Sequence, residues 1–74
     1  MNAAQRRKIV RKVLKVVPLV PLRARWLLCG ISHIVAWHDL NYIVHAHKHD
    51  IKDIGVSTYA ATDFVYRKIT GELK

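Results

Sequence analysis

Residues 22–53 read LRARWLLCGISHIVAWHDLNYIVHAHKHDIKD, and the period of this stretch decides the fold. Its apolar residues, Trp26, Leu27, Leu28, Ile31, Ile34, Val35, Trp37, Leu40, Ile43, Val44 and Ile51, recur at helical spacing, with none of the strict alternation of a half-buried strand. The pattern predicts one helix over 22–53, with a kink or break around 38–41, where His38-Asp39-Leu40-Asn41 supplies capping side chains. Between Trp26 and Trp37 the apolar positions go nearly all the way round, which predicts burial on several sides, by the chain itself or by a second copy. Gly55 is the expected stop.

On the N-terminal side, residues 3–17 form an amphipathic pattern. Ile9, Val10, Val13, Leu14, Val16 and Val17 fall in one arc, while Arg7, Lys8, Arg11, Lys12 and Lys15 fill the opposite one. Arg6 intrudes on the apolar side. Asn2 is the expected N-cap, and Pro18 and Pro21 the expected stop, because neither offers an N–H and each restricts the residue before it. Pro21 also suits the start of the following helix. On the C-terminal side, Ser57 or Thr58 caps a third helix over 58–70, ended by Gly71, with Tyr59, Ala60, Phe64, Val65 and Ile69 as its apolar positions. A strand through 56–59 is the alternative there. The expected fold is therefore all-α, a small bundle of about three helices (3–17, 22–53 and 58–70), forming one small domain over residues 1–74.

A chain of 74 residues buries only about 60% of its unfolded surface, so domains of this size commonly add a disulfide, a metal or a partner. Cys29 is the sole cysteine, which excludes an internal disulfide. Its apolar neighbours predict a buried, reduced thiol and a cytoplasmic setting.

Charge is distributed unequally. Residues 1–38 hold Arg6, Arg7, Lys8, Arg11, Lys12, Lys15, Arg23 and Arg25 and no acid, whereas cations and acids balance over 39–74, so the net charge of +8 sits in the first half. The acid-free start resembles that of a mitochondrial transit peptide, but the segment is read as part of the working protein. An ordinary solvated helix face mixes signs, because opposite charges at i,i+4 support a helix and like charges oppose it. The segregation instead predicts a binding module whose partner-binding residues, Arg7, Lys8, Arg11, Lys12, Lys15, Arg23 and Arg25, engage an acidic macromolecule. Nucleic acid and the acidic patch of a larger protein fit equally, since no zinc-finger spacing, ribonucleoprotein motif or GxxG loop selects the former. The alternative is a peripheral membrane protein inserting the apolar face of the same helix. A homodimer through 26–37 is compatible with either.

Five histidines form the other unusual feature. On a continuous helix His38, His45 and His49 lie within about 40° of one another, and His45 and His49 have the i,i+4 spacing that brings two imidazoles to one zinc ion. Asp53 lies one turn further on as a third ligand or an orienting carboxylate. Two histidines and a carboxylate do not close a site, so a polar face where histidine simply occurs is the plainer expectation, with no cofactor. Catalysis has little to stand on: Gly30, Gly55 and Gly71 are isolated, and the Cys29/His33 pair lies in an apolar run. The chain is expected not to be an enzyme.

Overall fold

The structure, a computed structural model, describes residues 1–15 and 19–71, the side chains of residues 19 and 20 excepted. Among the described residues there are five helices and no strand: α1 (Ala3–Lys12), α2 (Leu19–Cys29), α3 (His33–Ala46), α4 (Lys48–Ile54) and α5 (Thr58–Thr70). The all-α class stands, but the expected helix over 22–53 is three helices.

The first break is at Gly30. Gly30 takes a left-handed φ of 62°, its N–H reaches Leu27 O at 3.4 Å, and the Ile31 N–H reaches back to Trp26 O at 3.1 Å. This is a Schellman stop. Two residues on, the Ser32 hydroxyl accepts from the Val35 N–H and opens α3. Gly55 repeats the device with a φ of 80°, Val56 N–H to Ile51 O at 3.3 Å, and the Ser57 hydroxyl capping α5. Both joints are thus glycine, aliphatic, serine. The second break falls at His47, which ends α3 and begins α4 without a side-chain cap. Histidine is a modest helix former, and three of the five residues from 45 to 49 are histidine. Between these breaks α3 is continuous through 38–41, so no break falls there.

The first helix is shorter than the expected 3–17. It closes at Val13, whose side chain is fully buried, and residues 16–17 of that expectation lie outside the described residues. Its start is as expected and stronger: the Asn2 side chain accepts from the Gln5 N–H at 2.8 Å while the Gln5 side chain accepts from the Asn2 N–H at 3.0 Å. Helix α2 begins at Leu19, ahead of Pro21, which sits in its first turn, where a missing N–H costs nothing.

Helix α5 is the centre. It packs most extensively on α3, then on α2 and α4, while α1 packs on α4. The core joins Ile9 and Val13 to Leu22, Trp26, Ala36, Leu40, Val44, Ile51 and Ile54, and to Ala61, Phe64, Val65 and Ile69 of α5. Three polar links set the register. Asp39 of α3 accepts from the Trp26 indole N–H at 2.8 Å and pairs with Arg25, locking α2 to α3. The Asn41 amide donates at 3.1 Å to the buried Thr62 hydroxyl, which donates at 2.7 Å to the Thr58 carbonyl. His33 Nδ1 lies 2.6 Å from the Tyr66 hydroxyl, joining α3 to α5.

Candidate binding surfaces

Packing on α4 buries Ile9 and leaves Arg7, Lys8, Arg11 and Lys12 of α1 exposed, with Lys15 exposed in the turn that follows. Among the described residues the ion pairs are Arg25–Asp39 and Asp63–Arg67, and neither involves α1. Arg6, the cation on the apolar side, lies over the Phe64 ring of α5 at 5.9 Å, a cation–π contact that explains its place there.

The other two expected partner-binding cations belong to a different part of the molecule. Arg25 is engaged by Asp39, and Arg23 stands beside a cavity of about 210 Å³ between α2, α3 and α5. The seven cations therefore divide into five presented by α1 and its turn, one tied internally and one at a cavity. Nothing in the sequence analysis pointed to that cavity, whose walls include Trp26, His33, Tyr66 and Thr70. The available signal was local only: Arg23 with Trp26 and Tyr66 with Thr70 each share a helix face, but no pattern says that the two faces meet.

The histidines are separated by the break at His47. His38 and His45 are exposed on α3 and His49 is exposed on α4, so the continuous helix that would align 45 with 49 does not exist. Among the described residues no group of three or more His, Cys, Asp or Glu side chains is placed to hold a metal ion. His38 instead lies edge-on to Trp37, with ring centroids 5.5 Å apart, and Trp37 packs against Tyr59 at 5.1 Å.

Within one chain, 26–37 is not buried on several sides. Trp26 is buried and Trp37 half-buried, but Leu27, Leu28, Ile34 and Val35 keep 73, 88, 72 and 53% of their surface exposed. Cys29, the last residue of α2, is exposed as well, contrary to the buried thiol expected. The stop at Gly30 removes the continuous helix on which Cys29 and His33 would face one another. No helix among the described residues is long and apolar enough to cross a membrane.

No family model matches the chain, and no curated protein or solved structure is significantly similar to it.

Proposed function

We propose that the protein is a small helical binding module that engages an acidic macromolecular surface, nucleic acid or the acidic face of a larger protein, through the outward face of α1. The observation that carries this reading is the set Arg7, Lys8, Arg11, Lys12 and Lys15, all exposed and none in an ion pair among the described residues. A row of cations along a helix attracts a polyanion, with affinity that falls as salt displaces the contacts. The rival use of α1, as an interfacial membrane helix, requires Ile9 and Val13 to leave the core, since both are fully buried.

The test is charge reversal of these five residues to Glu, with binding to labelled duplex DNA read by fluorescence anisotropy and helicity by circular dichroism. The reversed protein is expected to lose binding and keep wild-type helicity. If all five contact phosphates, log K against log salt has a slope of about −4.5, and a shallower slope means that fewer of them do. Undiminished binding by the reversed protein overturns the proposal.

A second reading, compatible with the first, is self-association through 26–37. The exposure of Leu27, Leu28, Ile34 and Val35 favours it, because water-facing aliphatics grouped at one joint are characteristic of contact surfaces.

A further inference from the structure

The cavity between α2, α3 and α5 has the features of a small-molecule site. Its floor is apolar and aromatic: Trp26 and Tyr66 stand with ring centroids 5.9 Å apart at 39°, with Ile31 and Ala36 beside them. Its wall is fixed in advance, because His33 Nδ1 and the Tyr66 hydroxyl are 2.6 Å apart and the Trp26 indole is held by Asp39 at 2.8 Å. Among the described residues its charge has one sign: no Asp or Glu is in the lining, and Arg23 lines it, exposed and outside the ion pairs found there. The neighbouring Arg25 supplies an internal comparison: a guanidinium on the same helix that has a carboxylate in reach is paired with it.

From these observations we infer that the cavity binds a small carboxylate carrying one ring or one branched aliphatic group. The carboxylate pairs with the Arg23 guanidinium, whose planar fork matches its two oxygens, and the apolar body lies against Trp26, Ile31 and Ala36. Size favours a small ligand, since sites for drug-sized ligands run from about 300 Å³ upward and this space is about 210 Å³. Charge sets the sign, since a cation would meet Arg23 with no acid among the described lining residues to offset it.

The inference is independent of the role proposed for α1, and its test keeps the two apart. Trp37 is replaced by Phe so that Trp26 is the sole tryptophan. Phenylacetate is then titrated against this protein while Trp26 fluorescence and the Trp26 indole N–H resonance are followed. Saturable changes in both are expected. Phenylacetamide, the same shape without the charge, should bind about tenfold more weakly, which is the size of effect a charge-assisted hydrogen bond confers. Arg23→Gln, a substitution at an exposed position whose fold is checked by circular dichroism, should bring phenylacetate down to the level of the amide. The protein with the five α1 reversals should still bind phenylacetate at physiological ionic strength, where charges on another surface are largely screened. Changes that do not saturate, equal binding of acid and amide, or an Arg23→Gln protein with wild-type affinity would each overturn the inference.

Discussion

Two stretches of this chain exchange the roles that their compositions suggest. Residues 26–37 are almost continuously apolar, yet Leu27, Leu28, Ile34 and Val35 face outward. Residues 58–70 carry Asp63, Arg67 and Lys68 among a looser apolar pattern, yet they form the central helix, with Ala61, Thr62, Phe64, Val65 and Ile69 buried. The difference lies in neighbours. Helix α5 packs against α2, α3 and α4, so it is covered from several directions, whereas α2 and α3 each turn one face to it and keep the other. Hydrophobicity states how much surface a segment gains by burying. Topology decides how much it does bury.

The comparison is most directly challenged at Trp26, the one large side chain of the apolar stretch that is buried. Trp26→Ala empties a buried site against α5 and leaves Asp39 without its indole donor, so a loss of about 3–5 kcal/mol is expected in urea denaturation. A loss below about 1 kcal/mol would mean that α2 is held elsewhere.

A middle-sized effect tests the polar seam of the central helix. Thr62→Val removes the acceptor of the half-buried Asn41 amide and should cost about 1–2 kcal/mol. Adding Asn41→Leu removes the orphaned donor, and the double variant should recover most of that loss. Failure to recover would show that the hydrogen bond does not govern the fit of α3 on α5.

The smallest expected effect on stability is at Leu28. Leu28→Asp should change unfolding by less than about 0.5 kcal/mol, because the side chain is 88% exposed. Its readout is sedimentation velocity at rising concentration. A wild-type protein that self-associates and a Leu28→Asp variant that does not would assign the exposed corner to contact between copies. A wild-type protein that stays monomeric removes that assignment.

Much of the local structure was legible because it rests on local chemistry. The range 58–70 and its glycine stop were read correctly, as was the Asn2 cap, and of the two caps offered for 58–70 the structure takes Ser57. The division of 22–53 was missed for two different reasons. Gly30-Ile31-Ser32 carries the same stop-and-restart signal as Gly55-Val56-Ser57, but the strong apolar period around it made the glycine read as tolerated within a helix. At His47 no glycine, proline or capping side chain marks the break, and the turn depends on how α4 packs on α1 and α5. The outward cations of α1 followed from its amphipathic period, since burying Ile9 and Val13 fixes the opposite face. The cavity beside Arg23 joins residues more than forty positions apart, from Arg23 to Thr70, and no spacing rule within a single helix reaches that far.

One property of α1 acquires a thermal meaning. Arg7 with Arg11 and Lys8 with Lys12 are like-charged pairs one turn apart, and the helix has no acid to separate them. Each such pair opposes the helix by about 0.2–0.5 kcal/mol, so α1 is electrostatically frustrated when free and is held by its capping box and its buried side. A polyanion bound on the face proposed above would relieve that repulsion most where the helix holds the cations together. Occupancy would then register as a higher melting temperature, a gain that added salt erases as the anion is displaced, and the fold itself would be the gauge of binding.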